Sequence, residues 1–223
     1  AVLCCNTTIS KVRDPETGDE KWEPKGNSSE APIVVAARKV GFDEKIAQQY
    51  KRVLEVPFSS SRKMMLTLTD VSGRDVLCSG GMSLPQGSTL LSVCKGAPNF
   101  ILDYCTAQLG EDGSVRPMSS EDKQHVLDIV DKYSERALRV LAIAARPFDA
   151  MPFDASNEDI TTDQKFEACR SNLMLLGLVA SIDPDRDGVP ESVLAARGAG
   201  IRVVMITGDY LKTAIAIARN VNI

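Results

Sequence analysis

Val53-Leu54-Glu55-Val56-Pro57-Phe58-Ser59-Ser60-Ser61-Arg62-Lys63-Met64-Met65-Leu66-Thr67-Leu68-Thr69-Asp70 reads as two strands joined by a serine turn. The first run, 53–58, is apolar and ends on an aromatic ring. In the second, 64–70, Met65 to Thr69 alternates with the period of a strand that keeps one polar face. Further strands are expected over 76–78 and 89–94, separated by the Gly/Ser/Pro-rich stretch 79–88.

Outward from this hairpin, the first five residues form an apolar, strand-like run, and 14–27 is rich in charge, Gly and Pro, which predicts an exposed loop. Ser29-Glu30-Ala31-Pro32 suits a helix start, with Ile33, Val34, Ala37 and Val40 on one face and Gly41 as the stop. A polar helix over 43–52 and another helix over 98–105 are expected. The clearest helical pattern is 121–138, where Ser119 and Asp122 form a capping-box-like pair. Strands over 139–145 and 173–180 enclose a polar stretch, 146–171, expected as a surface excursion. Beyond it, a helix over 189–197, a strand over 201–206 and a helix over 211–220 make an α-β-α segment of parallel-sheet type. That segment is too short to close a core of its own. A domain boundary is expected near residue 182.

The composition excludes several classes. A chain of 223 residues supports one large domain or two modest ones. Its net charge of −4 lacks the cationic excess that a nucleic-acid surface needs. No apolar run approaches the roughly 20 residues that cross a bilayer, and no signal-peptide pattern is present, so the chain reads as soluble. Cys4, Cys5, Cys78, Cys94, Cys105 and Cys169 have no CxxC spacing, and His125 is the single histidine, so no metal site is expected. Free thiols, most of them buried, fit a reducing compartment. His125 has no partner suited to acid–base chemistry and reads as an exposed helix residue.

The Gly-rich phosphate loops that recognise nucleotides in many enzymes, G-x-x-x-x-G-K-[ST] and G-x-G-x-x-G, do not occur. Other strings do. Phe58 to Lys63, then Lys95-Gly96-Ala97-Pro98, Asp183-Pro184-Asp185-Arg186 and Met205-Ile206-Thr207-Gly208-Asp209 follow one another in this order. Together they resemble the nucleotide-binding region and adjoining phosphorylation-domain edge of a P-type ATPase, from about Ser29 to the end of the chain. The family's phosphorylated Asp-Lys-Thr-Gly-Thr and its later Gly-Asp-Gly-x-Asn-Asp are absent, so the chain is expected to be a piece of a larger membrane protein without its reaction centre, and no catalytic residue is assigned.

The resemblance implies an α+β fold: an antiparallel sheet flanked by helices over 1–182, the nucleotide-binding domain. A hinge and a short α/β, Rossmann-like part of the phosphorylation domain would follow over 183–223. It implies that Phe58 stacks on adenine, that Lys63 and Arg62 approach the nucleotide, and that Lys95 and Gly96 line the adenine pocket. By the same resemblance Glu30 hydrogen-bonds the adenine amino group and Arg139 reaches the phosphates. Asp183 and Arg186 belong to the hinge, Thr207 and Gly208 hold the transferring phosphoryl, and Asp209 lies near nucleotide and metal. Two positions depart from the family pattern: Asn99 stands where Glu is usual after Lys-Gly-Ala-Pro, and Asp185 replaces the second proline of Asp-Pro-Pro-Arg, loosening the hinge backbone.

From the residues alone, each position has a plainer alternative. Phe58 reads as strand packing, Lys63 as a solvated charge, and Lys95-Gly96 as a surface turn. Glu30 reads as a favourable charge at a helix N-terminus, Arg139 as a charge at a helix C-terminus, and Gly208-Asp209 as a loop capping a helix.

The full pump implied by the resemblance binds ATP with Mg²⁺ at the cytosolic face of a membrane. It passes the γ-phosphoryl to an aspartate outside this chain and couples closure to cation transport. Its partners would be the remaining phosphorylation, actuator and transmembrane domains and the transported cation, with calcium favoured over sodium. Two rival readings stand beside it. A haloacid-dehalogenase-type phosphatase would need an Asp-x-Asp or Asp-x-Thr loop that the first strand does not offer. A non-enzymatic interaction module would use the acidic stretches 14–23 and 154–163.

Overall fold

The structure, a computed structural model, describes residues 1–15, 18–42, 44–73 and 84–223. The strand expected over 76–78, Cys78 and the 79–83 part of the Gly/Ser/Pro stretch lie outside them. The elements are β1 (Thr8–Arg13), β2 (Glu20–Lys25), α1 (Ala31–Lys39), α2 (Glu44–Ala47), β3 (Arg52–Val56), β4 (Met64–Asp70), β5 (Leu90–Gly96) and α3 (Pro98–Asp103). They continue as β6 (Cys105–Leu109), β7 (Val115–Pro117), α4 (Ser120–Ser134), β8 (Leu138–Phe148), α5 (Thr162–Arg170), β9 (Leu173–Ile182), α6 (Val189–Gly198) and α7 (Leu211–Asn220). Residues 1–118 with 142–177 make one compact unit, and 119–141 with 178–223 a second. The fold is the mixed, sheet-and-helix architecture expected.

A seven-stranded sheet runs in the order β3-β4-β5-β8-β9-β6-β7. β3–β4, β4–β5, β5–β8 and β6–β7 pair antiparallel, and β6–β9 pair parallel. β4 keeps the predicted bounds but not the predicted polar face. Thr67 and Thr69 are as buried as Leu66 and Leu68. The N-terminal residues account for this: 2–4 form a 3-10 turn rather than a strand, and the Thr67 hydroxyl donates to the Leu3 carbonyl at 3.1 Å. Against β4 and β5 also pack α5 and, on β5, α3. Each fully buried Leu or Ile there contributes about 1.5–3 kcal/mol relative to exposure.

Several expectations in the first unit are corrected. The loop expected over 14–27 supplies β2, which pairs with β1 from Thr8↔Lys25 to Arg13↔Glu20. That hairpin buries Ile9 but is otherwise half-buried or exposed, so its alternation is weak. It is dressed by the Trp22 ring, with Lys11 Nζ 5.6 Å and the Arg38 guanidinium 5.0 Å from its centroid. Val40, expected on the buried face of the first helix, is exposed. The helix expected over 43–52 is a single turn, α2, followed by turn bonds from the Gln49 and Tyr50 N–H groups, and Arg52 belongs to β3. Its guanidinium donates to the Leu3 and Cys5 carbonyls at 3.1 and 2.9 Å and pairs with Glu55 at 2.7 Å. The supposed surface excursion over 146–171 contains α5, which buries Phe166 and Cys169 and is opened by a Thr161/Gln164 capping box.

In the second unit the predicted Ser119/Asp122 capping box is present, each residue bonding the other's backbone N–H, at 3.1 and 2.8 Å. α7 is tied to α4 by Lys212, 2.7 Å from Asp131 and 3.3 Å from Glu135, and by the Tyr210 hydroxyl, which donates to Asp131. The strand expected over 201–206 does not form. Ile201 and Val204 are exposed and Ile206 is 94% exposed. β-propensity alone does not make a strand: the backbone N–H and C=O groups need a partner ladder, and none of the described residues of this unit provides one. His125 is exposed on α4, as expected. Among the described residues, no helix is long and apolar enough to cross a membrane.

Candidate functional site

Two groups of side chains gather the expected residues, one in each unit. The first lies at the end of the sheet where β4 begins and β5 finishes. The antiparallel register sets Met65 opposite Lys95 and Met64 opposite Gly96. The turn that carries Phe58 therefore runs directly into the strand beside Lys95-Gly96. The Ala97 N–H donates to the Lys63 carbonyl at 3.1 Å, which stitches the two motifs together. Lys63 itself takes a left-handed backbone, φ 55°, to make this turn.

Gly96 is required by that closeness. A Cβ built on it would lie 2.9 Å from Met64 Cα and collide with the Lys63 carbonyl. The tight approach at Gly96 is thus to the neighbouring strand's backbone. Phe58 is 54% exposed, which excludes its reading as a core residue. Arg62 turns towards α5: it pairs with Asp163 at 2.9 Å, donates to the Pro57 carbonyl at 3.0 Å, and lies 5.4 Å from the Phe166 ring centroid.

Beneath this end of the sheet, Lys95 and Glu30 form a buried ion pair, Nζ to Oε1 at 2.6 Å, with the residues 6% and 3% exposed. Sequence spacing gives no hint of this contact across 65 positions. Lys95 also donates to the Cys4 carbonyl. Glu30 Oε2 accepts from the backbone N–H of Asn6 at 2.7 Å and of Thr7 at 2.8 Å. Burial pushes the Glu30 carboxyl upward, but the Lys95 ammonium and the two N–H donors together outweigh it, and its pKa falls below the ordinary value. Cys5 Sγ is 3.7 Å from Lys95 Nζ. Burial is the larger influence on that thiol and raises it to about 11 despite the nearby ammonium.

The second group is centred on Arg139. Ala137, at φ 60°, makes the left-handed step that ends α4 and launches β8, delivering Arg139 near the strand's start. The guanidinium lies 3.4 Å from Asp183 Oδ2 and 3.0 Å from Asp209 Oδ1. Three residues from separate motifs therefore meet within one unit. The Thr207 hydroxyl accepts from the Asp209 N–H at 3.1 Å, fixing the turn that presents Asp209. Thr207, Gly208 and Arg186 are exposed. Asp183 and Asp209 are hard oxygen donors of the kind Mg²⁺ uses, yet both face a guanidinium, and the described residues hold no group of three or more His, Cys, Asp or Glu suited to a metal ion.

Comparison with known proteins decides the family. Residues 1–188 match the model described as P-type ATPase, cytoplasmic domain N. The chain belongs to the P-type ATPase family. Relatives of this P-type ATPase chain include the P-type sodium-transporting ATPase4 of Toxoplasma gondii, 37% identical over 97% of the chain and 18% of that protein. The Calcium-transporting ATPase 1 of Lactococcus lactis is 32% identical over 100% of the chain and 21% of that protein. The Probable cation-transporting ATPase F of Mycobacterium tuberculosis is 34% identical over 98% and 21%. The chain spans about a fifth of the length of these relatives.

Proposed function

We propose that this chain is the ATP-binding cytosolic part of a P-type cation pump, and that it presents the nucleotide to an aspartate on another part of that pump. The observation that carries the reading is the meeting of three motif segments at one sheet end: the Phe58–Lys63 turn, Lys95-Gly96, and Glu30 behind them. An exposed aromatic ring beside a lysine-bearing strand end is what base stacking requires, each such stack being worth about 1–3 kcal/mol. The Arg139 group gives its own unit a planar donor suited to phosphate. Asp209 and Asp183 are the candidate neighbours of a phosphate-borne Mg²⁺.

The names of the relatives include both sodium and calcium. The reading is therefore a cation pump, with turnover, ion selection and membrane passage assigned to the full protein. The chain alone should bind nucleotide without hydrolysing it. Titration with ATP, followed by amide NMR, tests this. The expected result is saturable shifts at Phe58, Lys63 and Lys95 to Ala97, with adenosine competing. Shifts absent there, or confined to the polar β1–β2 hairpin, would refute it.

A further inference from the structure

The first unit also holds a cleft whose lining includes none of Glu30, Phe58, Lys63 and Lys95. Its volume is about 240 Å³, and its walls come from the N-terminal turn, the end of α2 and the sheet. Strand register places Thr69 at its foot. β4 pairs with β5 without a bulge from Met64 to Asp70, so side chains two apart share a face. Thr67 bonds the Leu3 carbonyl on that face, and Thr69 therefore faces the N-terminal turn as well. Arg52 stands opposite Thr69 in the β3–β4 ladder, and its guanidinium holds the Leu3 and Cys5 carbonyls at the cleft wall. The Thr69 hydroxyl has no hydrogen-bond partner, although the residue is only 1% exposed. Few buried hydroxyls are left so, because each gives up the bonds it would make with water.

The rest of the lining says what could complete that bond. Val2, Leu3 and Ala47 give the cleft an apolar side. Among the described residues that line it, Arg52 alone is charged, and Glu55 balances it at 2.7 Å. That pairing suits the cleft to an uncharged occupant. Its volume is below the roughly 300–1,000 Å³ of pockets that bury drug-sized ligands, which limits the occupant to a fragment. We propose that this cleft binds a small uncharged molecule with an apolar body and a hydroxyl. The body lies against Val2, Leu3 and Ala47, and the hydroxyl bonds Thr69 Oγ1. Because Thr69 is so deeply covered, the half-buried side chains around it, Leu3 and Tyr50 among them, must give slightly to admit that contact. The site does not rest on the nucleotide reading.

The probes are phenol and toluene, alike in size and shape but differing in the hydroxyl, with benzoate as the charged control. Each is titrated into the chain and followed by amide and methyl NMR. The expected result is saturable shifts at Val2, Leu3, Ala47 and Thr69, with phenol in the millimolar range of a fragment and toluene about fivefold or more weaker. Benzoate is expected to bind more weakly than phenol. Thr69→Val keeps the shape and removes only an unpaired hydroxyl; it should bring phenol down to the affinity of toluene and leave toluene unchanged. If that variant fails to fold, the wild-type ratio of phenol to toluene decides alone. Equal affinities for the two would overturn the proposal, as they would if water alone served Thr69. So would the absence of saturable shifts at these residues, tighter binding of benzoate than of phenol, or wild-type phenol affinity in Thr69→Val.

Discussion

Lys95 Nζ lies 2.6 Å from Glu30 Oε1, a buried pair joining the end of β5 to the head of α1 and, through Cys4, Asn6 and Thr7, to the N-terminal turn. A pair of this kind is costly to break from one side, because the surviving charge stays buried without compensation. Lys95→Met is expected to destabilise the chain by about 3–5 kcal/mol. Urea unfolding checks it, and a loss below about 1 kcal/mol would show that the pair is not buried in solution.

The same pair sets an acid limit. The Glu30 carboxyl is held below its ordinary value of 4.5, so the folded state binds this proton less readily than the unfolded state does. Its stabilisation is complete above pH 4.5 and is lost as pH falls through the depressed folded-state value. Unfolding free energy measured from pH 7 downward should fall in that acid window, and Glu30→Gln should flatten that part of the profile. A wild-type profile with the same slope as Glu30→Gln would contradict the linkage.

Gly96 is fixed by its neighbour. With Met64 Cα 2.9 Å from any Cβ placed there, Gly96→Ala must push β5 away from β4. Overpacking of this kind costs about 1–3 kcal/mol. The midpoint of thermal unfolding checks the expected loss, and the Ala97 N–H to Lys63 bond should loosen in amide exchange.

Cys5 is half-exposed but poorly nucleophilic. With its thiol raised to about 11, only about 0.1% is thiolate at pH 8. Alkylation of the folded chain by iodoacetamide at pH 8, read at the Cys5 peptide by mass spectrometry, should be far slower than in urea. Equal rates would contradict this environment for the thiol.

Sequence legibility follows physical cause. β4 and α7 are legible to the residue because an apolar run between turn residues, or a 3.6-residue stripe, marks both edges. The β1–β2 hairpin escapes a reading by pattern because its strands, Ile9 apart, are largely exposed and alternate weakly, although Trp22 between two cations is a clue of a kind. α5 hides inside a polar stretch, yet Thr161 and Gln164 spell a capping box that could reveal it. At 201–206 the apolar residues are strand-forming by propensity, but pairing depends on a neighbour that local sequence does not specify. At the candidate site the motifs name Glu30 and Lys95 separately. Their mutual contact, 65 positions apart, needs the fold.

The most direct test of nucleotide binding at this sheet end is the ATP dissociation constant of the chain with Phe58 changed to Ala and to Trp. Phe58 is exposed, so both variants should fold with stability within about 0.5 kcal/mol of the wild type. The expected result is that Phe58→Ala weakens ATP binding by about 5- to 150-fold, the equivalent of losing one base stack of about 1–3 kcal/mol, while Phe58→Trp keeps it. Wild-type affinity in Phe58→Ala would contradict the account.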